Sequence, residues 1–338
     1  MTQERPARSG ARHVPVLRDA AIGVLGVRPG GVYVDGTFGA GGYARAILSV
    51  PRTRVFAIDR DPEAVRGGAA LAAQFDGRLK VLEGRFSRMG ELLAGQGISR
   101  VDGVVLDLGV SSMQLDEAGR GFSFLREGPL DMRMERAGTS AADVVNSASE
   151  RELAEILWRY GEERRARAIA RAIARRRAVA PIRTTVELAE IVESVLGPKR
   201  KPKMAHPATR TFQALRIHVN RELEEVAEGL SAAEHILRPG GVLSVVSFHS
   251  LEDRIVKRFF AARTGRAGRP SRHLPEVKGP EASFEDLTGG GIAPPEDEIA
   301  ANRRARSARL RAGRRTAAVP VALDARALGL PQLQGGRK

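Results

Sequence analysis

A glycine-rich segment, residues 35–43, is the first part of the chain whose residue types and spacing suggest ligand chemistry. It reads Asp-Gly-Thr-Phe-Gly-Ala-Gly-Gly-Tyr and follows a short apolar run that is typical of a β-strand. Glycines at such a turn let a ligand approach the backbone closely and permit positive φ. Gly39, Gly41 and Ala44 match the dinucleotide fingerprint, and Asp59 stands 20 residues after Gly39, where a ribose-binding acid belongs. We therefore expect a nucleotide-containing cofactor here, although a merely tight turn is the alternative.

The carboxylates around this segment discriminate between two such cofactors. Asp35, Asp59 and Asp107 each stand at the end of an apolar run, where the predicted parallel strands would bring them to one crevice. Three carboxylates would repel the pyrophosphate of NAD but accommodate the sulfonium and ammonium groups of S-adenosylmethionine. We expect Asp59 to bind the ribose hydroxyls, Phe86 to flank the adenine and Asp107 to lie beside the methionine moiety or reaction centre. Alternatively, the acids are solvated strand ends and Phe86 is a core aromatic.

Cysteine is absent from the chain, and this narrows the reaction that such a cofactor would serve. Methylation of cytosine C5 normally requires addition of a thiol to the ring, whereas methylation of an amine does not. A cytosine amine is a poor nucleophile, so an acceptor for one of its N–H groups would assist. Asp107 is the candidate for this catalytic role; the alternative is that it only holds the cofactor.

Aromatic residues and histidines also occur in segments that look functional. An unstacked base needs an aromatic surface, and Phe122, Phe124 and Phe248 are candidates, with core burial expected for two of them. His206 and His249 have no second histidine at ligand spacing. We expect structural or RNA-contacting histidines and no metal site.

The elements that must position these residues form an alternating pattern in the first third of the chain. Four strands are predicted at residues 31–35, 54–59, 79–84 and 101–108. Helices at residues 43–48 and 62–74 separate them, which indicates βαβ units and a parallel sheet.

Helical signals replace this pattern over residues 116–208. Ser149 with Glu152, and Thr184 with Glu187, have capping-box spacing before apolar repeats. The α/β pattern resumes with a continuous apolar seam over residues 212–230 and a strand at 242–248, and residues 303–315 predict a final edge strand or a basic arm. The predicted domains are a first methyltransferase part at 1–115, a helical RNA-binding insertion at 116–208, a second methyltransferase part at 209–315 with a Pro/Gly-rich loop at about 264–295, and a tail at 316–338.

The charge of the chain predicts a polyanionic partner. The formal net charge is +15, and basic residues cluster as arginine in residues 164–177 and 303–315 and mainly as lysine in the linker 199–203. A generally basic surface is the alternative. No apolar run approaches the roughly 18 residues of a membrane span, and no secretory h-region follows the N-terminus, so we expect a cytoplasmic location.

Several long motifs in the chain resemble the ribosomal RNA small subunit methyltransferase H family, also called MraW. The resemblance covers residues 13 to about 314 and is carried by His-Val-Pro-Val-Leu at 13–17, the glycine loop, Asp-Leu-Gly-Val-Ser-Ser at 107–112 with Gln114, Arg-Gly-Phe-Ser-Phe at 120–124, Leu-Asp-Met-Arg-Met at 130–134, residues 206–217, Ser-Phe-His-Ser-Leu-Glu-Asp-Arg at 247–254 and Arg-Ser-Ala at 306–308. Two residues depart from the family's pattern: Tyr43 stands where histidine is usual, and Met113 where proline is frequent.

The resemblance implies a Rossmann-like class I S-adenosylmethionine-dependent methyltransferase. Its implied reaction is methylation of the N4 amine of a cytidine in the decoding centre of 16S rRNA, with the rRNA or the small ribosomal subunit as partner. It places the cofactor contacts on Gly41, Gly42, Tyr43, Asp59, Phe86, Asp107 and Gln114. The oligomeric state stays open, a homodimer included. The alternatives are an amino-methyltransferase for another nucleic acid, a catalytically silent RNA-binding assembly factor and, more remotely, an NAD-dependent oxidoreductase.

Overall fold

The central element is a seven-stranded sheet in a computed structural model that describes residues 15–198, 206–265 and 281–332. Its strand order is β3-β2-β1-β4-β5-β7-β6. The strands are β1 Val32–Asp35, β2 Arg54–Asp59, β3 Leu79–Glu83, β4 Val101–Asp107, β5 Leu237–Ser247, β6 Phe284–Asp286 and β7 Arg309–Arg315. The first five pair in parallel, whereas β7 is antiparallel to both β5 and β6. This arrangement confirms the predicted Rossmann-like α/β fold.

Thirteen α-helices accompany the sheet within the described residues. They are α1 Arg18–Leu25, α2 Gly42–Leu48, α3 Pro62–Ala72, α4 Met89–Ala94, α5 Ser112–Asp116, α6 Ala141–Ser147, α7 Glu150–Gly161, α8 Ala166–Val179, α9 Thr185–Leu196, α10 Thr209–Asn220, α11 Glu222–Ile236, α12 Ser250–Arg263 and α13 Glu296–Ala301. None of these helices is both long and apolar enough to cross a bilayer.

Apolar side chains pack on both faces of the sheet, as parallel sheets require. Successive β1 residues, Tyr33 and Val34, belong to opposite core clusters because side chains alternate along a strand. The cluster around Val34 continues into the helices between β4 and β5, where it includes Leu157 and Leu188. The helical segment therefore shares a core with one face of the sheet. The domain boundaries at residues 116 and 208 stay a prediction.

The local helix signals correspond to observed helix starts. Thr184 and Glu187 form a reciprocal capping box before α9, and Ser149 accepts a hydrogen bond from the backbone N–H of Glu152 before α7.

The apolar seam predicted over residues 212–230 packs into one core cluster, but it is divided between two helices. The helical conformation is interrupted between α10 and α11 at Arg221, which has a left-handed φ of 50°. The buried Asn220 secures this break, because its side chain accepts from the backbone N–H of Met134 and donates to the carbonyl of Met132.

The C-terminal arginine-rich segment forms a strand, but not an edge strand. β7 lies between β5 and β6, so it is paired on both sides, and β6 forms the edge. β6 arises within the segment that was predicted to be a loose connection; residues 266–280 of that connection lie outside the described part of the chain.

Candidate cofactor and substrate site

A cavity of about 640 Å³ lies at the carboxyl ends of the parallel strands. The loops that follow β1, β2, β4 and β5 form one side, and residues of α10 and α11 form the other. In open α/β sheets this edge is where ligands bind. The fold thus brings the glycine loop, Asp59 and Asp107 to one site, as the sequence predicted.

Backbone geometry explains the glycines of the loop after β1. Gly39 and Gly41 have φ of 51° and 77°, which residues with a side chain rarely adopt. A Cβ at Gly41 would lie 2.5 Å from Leu71, and one at Gly42 would lie 2.4 Å from Pro15. Gly39 and Gly42 line the cavity, whereas Gly41 packs against Leu71 behind the cavity wall. The loop is therefore a close-fitting backbone cradle.

Asp35 does not face the cavity, contrary to the expectation of three open carboxylates. It is fully buried and accepts hydrogen bonds from the backbone N–H groups of Thr37 (3.3 Å) and Ala44 (3.1 Å). Burial, with a contribution from the negative charge of Asp59, raises the pKa of Asp35 to about 7. Asp35 holds the glycine loop in place, and two of the three predicted carboxylates remain open to a ligand.

Asp59 occupies the position predicted for the ribose-binding acid. One carboxylate oxygen accepts from the Gly39 backbone N–H at 2.7 Å, and the other accepts from that of Asp61 at 2.8 Å. Burial raises the pKa of Asp59, and these backbone hydrogen bonds oppose the rise. The carboxylate lines the cavity in a fixed orientation, and each oxygen retains a lone pair for a further donor.

Asp107 has an unsatisfied acceptor in the cavity wall. Its backbone N–H donates to the Thr37 hydroxyl at 2.7 Å, but its Oδ1 is buried with no hydrogen-bond partner among the described residues. Burial, followed by the negative charges of Asp35 and Glu252, raises the pKa of Asp107 well above its usual range. A buried acceptor without a partner calls for a ligand that supplies a donor or a positive charge. The cavity therefore fits a cationic, hydrogen-bonding cofactor.

Tyr43 and Phe86 line the same cavity and also pack into the fold. The Tyr43 hydroxyl donates to the carbonyl of Val16 at 3.0 Å, so its polar end is bound to the segment before α1. The Phe86 ring fits against Gly229, where an added Cβ would lie 2.2 Å from the ring. Residue 43 therefore lines the cavity while its side chain is held in the core, and Phe86 is both a core residue and a wall of the site.

Gln114 lines the cavity, and its side-chain amide forms hydrogen bonds to other residues of the protein. Its Oε1 accepts from the Ser111 backbone N–H, completing the capping box of α5, and its Nε2 donates to Asp61 at 2.8 Å. The same Asp61 oxygen accepts from buried Arg120 at 2.7 Å. Gln114 thus connects the loop after β4 with the loop after β2.

Aromatic side chains form a further part of the cavity wall. All three predicted phenylalanines, Phe122, Phe124 and Phe248, line the cavity; Phe122 is buried and the other two are partly buried. The Phe124 ring lies 4.5 Å from the ring of His206 and 4.8 Å, edge-on, from that of Phe212. This apolar wall suits a flat aromatic ligand.

A charged cluster in the cavity was missing from the sequence-based site. Arg216 forms a bidentate pair with Glu222 at 2.8 Å, and both lie beside His249 and Glu252. Burial alone would raise the pKa of Glu252, but the neighbouring His249 and Arg216 outweigh it and lower that pKa. His249 and Glu252 lie in the motif at 247–254, and Arg216 lies in the motif at 206–217. These motifs were the sequence signal that could have identified the three residues. The motifs could not identify Glu222, because the helix break at Arg221 is what brings this residue to the cavity.

Oxygens of Glu222 and Glu252 and a ring nitrogen of His249 lie within 4.8 Å of one another, a separation that suits a metal ion. However, Arg216 already occupies both oxygens of Glu222, and one Glu252 oxygen accepts from the backbone N–H groups of Phe248 and His249. We interpret the cluster as a paired wall of the cavity. That the site needs no metal stays a prediction.

Of the arginines expected to contact RNA, those on and before α8 are exposed, whereas two on β7 are used within the fold. On and before α8, Arg164, Arg167, Arg171 and Arg175 are exposed. On β7, Arg311 pairs with Asp253 at 2.8 Å and buried Arg315 donates to backbone carbonyls, so these two are used within the fold. The linker 199–203 lies outside the described residues.

Comparison with known proteins identifies the sequence relatives of the chain. The MraW methylase family matches residues 10–316. A protein of Nitrobacter hamburgensis (strain DSM 10229 / NCIMB 13809 / X14), named ribosomal RNA small subunit methyltransferase H, is 57% identical over 325 residues, which cover 96% of this chain and 97% of that protein. A protein of the same name from Methylobacterium sp. (strain 4-46) is 59% identical over 338 residues, covering 98% and 100%.

Comparison with solved structures finds two rRNA methylases among the matches. A putative rRNA-methylase from Clostridium thermocellum has a TM-score of 0.42 and 12% identity, with 91% of this chain and 99% of that chain covered. An rRNA methylase from Streptococcus thermophilus has a TM-score of 0.41 and 8% identity, with the same coverage.

Proposed function

The chain belongs to the MraW methylase family of S-adenosylmethionine-dependent methyltransferases, and from this premise we propose that it methylates the N4 amine of a cytidine in the decoding centre of 16S rRNA. The relatives' names supply ribosomal RNA of the small subunit as the substrate class. Action on this substrate would place the enzyme in the cytoplasm. The observation that supports the amine as target is the unpartnered Asp107 oxygen between the glycine cradle and the aromatic wall.

The residues that would hold the cofactor are those of the predicted site. Gly42 and Tyr43 offer a close backbone surface, Asp59 would accept from the ribose hydroxyls, and Phe86 would lie against the adenine. Gly41 would act by shaping the loop, and Gln114 by holding the loops after β2 and β4 together. When bound, S-adenosylmethionine supplies a methyl group that its sulfonium already activates, so the task of the protein is alignment.

Asp107 would act on the nucleophile. Its free oxygen would accept one N–H of the cytosine amine, which localises the nitrogen lone pair for attack and gives the departing proton an acceptor. Phe124 and Phe248 would hold the base after it leaves its stack. No cysteine is available for ring addition, which agrees with attack by the amine. The helical segment 116–208 would grip the flanking RNA.

The direct test is methyl transfer followed by mass spectrometry of the nucleosides. Purified enzyme, S-adenosylmethionine and small-subunit rRNA or particles lacking the modification should yield N4-methylcytidine at one decoding-centre position. Asp107→Ala should reduce the yield by about 100-fold or more, in the range of lost general-base catalysis, while its circular dichroism spectrum matches that of the native enzyme.

The matched control is Asp19→Ala, because Asp19 is an exposed carboxylate in the first turn of α1. This variant should match the native enzyme. Methyl groups found only on another nucleoside, or near-normal turnover of Asp107→Ala, would contradict the proposal.

A further inference from the structure

A second concave surface contains the single tryptophan of the chain. This groove of about 530 Å³ lies where α7, the turn after it, α10 and α12 meet. Its lining residues, which define the name Trp158 groove, are Trp158, Arg159, Glu162, Arg164, Arg210, Leu251, Arg254, Gly329 and Pro331. Trp158 is 58% exposed, which is unusual for a side chain of this size and apolar character.

The charges of the groove are arranged for an anionic ligand. Four arginines line it against one glutamate. Glu162 is paired already: its carboxylate accepts from Arg254 at 3.1 Å and from the Ser250 hydroxyl at 2.8 Å. Burial alone would raise the pKa of Glu162, but these two hydrogen bonds and the nearby arginines lower it, so it remains charged and positions Arg254.

Two of the arginines retain donors for a ligand. The Nε of Arg159 is buried and has no hydrogen-bond partner among the described residues. Arg164 is exposed and follows the left-handed turn at Glu162. Planar guanidinium groups of this kind bind phosphate with paired hydrogen bonds.

The Trp158 groove and the cavity have two helices in common in their walls. On α10, Arg210 lies in the groove while Phe212 and Gln213 line the cavity. At the start of α12, His249 lines the cavity while Leu251 lies in the groove. A strand that inserted one base into the cavity could therefore reach the groove along the surface of these two helices.

We propose that the Trp158 groove binds unpaired RNA next to the target nucleotide, with a flanking base stacked on Trp158 and the phosphates paired with Arg159 and Arg164. Exposed aromatic rings among arginines are the usual platform for single-stranded nucleic acid, since every base has a flat face. This inference rests on the proposed function, and it assigns the substrate contact to a surface outside the cofactor site.

The first experiment uses the single tryptophan as a fluorescent reporter. Titration of the full-length enzyme with a short single-stranded RNA that contains the target cytidine should quench the emission and saturate. A perfect duplex of the same sequence should quench it much less. Quenching by small-subunit particles without quenching by free strands would overturn the proposal, because the groove would then not bind unpaired RNA by itself.

The second experiment measures steady-state methyl transfer. Trp158→Ala should raise the KM for RNA by roughly tenfold, within the range of about 1–3 kcal/mol for one stacked base, with a much smaller change in kcat. Trp158→Phe should restore most of this loss. Arg164→Gln should reduce the steepness of the plot of log RNA affinity against log salt concentration by about one unit of slope. Binding of S-adenosylmethionine should be unchanged in all three variants.

The control for Arg164→Gln is Arg52→Gln, an exposed arginine in the turn before β2, at the opposite edge of the sheet. It should leave both the salt dependence of RNA binding and the KM for RNA unchanged. If the native enzyme forms N4-methylcytidine but Trp158→Ala keeps the native KM, only the groove assignment fails. If the native enzyme forms none, the proposed function fails first.

Discussion

Asp107 illustrates how one side chain can be prepared for a ligand before the ligand arrives. Its backbone is fixed by Thr37, while its carboxylate is buried beside two other acids with one oxygen unpaired. This arrangement costs stability in the free protein, and a cationic cofactor and an amine donor would both relieve it. Asp35 is also an aspartate at the end of a strand, but its two carboxylate oxygens accept hydrogen bonds from the backbone N–H groups of Thr37 and Ala44.

The raised pKa of Asp107 predicts a pH dependence of activity. The residue accepts a proton only as the charged carboxylate, and burial with neighbouring negative charges keeps it protonated to a higher pH than usual. The kcat/KM for methyl transfer should therefore rise with pH through the pKa of the free enzyme. A bound positive charge favours the carboxylate, so the corresponding rise in kcat should occur at lower pH. A rate that is independent of pH through the acidic and neutral range would contradict this role.

Local sequence signals specified the elements well, because strands, caps and glycine turns depend on a few adjacent residues. The predicted first two strands, at 31–35 and 54–59, agree with β1 and β2 to within one residue. The helix break at Arg221 was missed, since the apolar spacing continues through it and Asn220 secures it through distant backbone groups. The internal position of β7 was missed because strand neighbours are set by tertiary pairing.

One side chain fastens the segment after β4 to the loop after β2. Arg120 is buried and donates to Asp61 (2.7 Å), Glu63 (3.1 Å) and the carbonyls of Arg133 and Met134. Arg120→Ala should lower the free energy of unfolding by about 3–5 kcal/mol, because it leaves the Asp61 carboxylate buried without its cation.

Urea denaturation provides the measurement for Arg120→Ala, with Arg88→Ala as its matched control. Arg88 pairs with Glu91 on an exposed helical surface, so its loss should cost less than about 1 kcal/mol. Equal costs for the two variants would show that Arg120 does not stabilise the connection.

Over the whole molecule, the net charge is positive, whereas acidic residues line the cavity. The chain carries a formal charge of +15, yet the cavity at the strand ends is lined by Asp59, Asp107 and Glu252. A basic surface attracts a polyanionic substrate, while acidic residues inside the cavity favour a cationic cofactor. The sequence predicted an acidic cavity from the aspartates at the strand ends. The pairing of Arg216 with Glu222 could not be predicted, because it depends on how the chain folds.

Isothermal titration calorimetry with S-adenosylmethionine and with NAD tests this central claim most directly. The native protein should bind S-adenosylmethionine and show no measurable binding of NAD. Asp59→Ala should weaken S-adenosylmethionine binding by about tenfold or more, the cost of a lost hydrogen bond to a charged group. Tight binding of NAD together with no binding of S-adenosylmethionine would contradict the account.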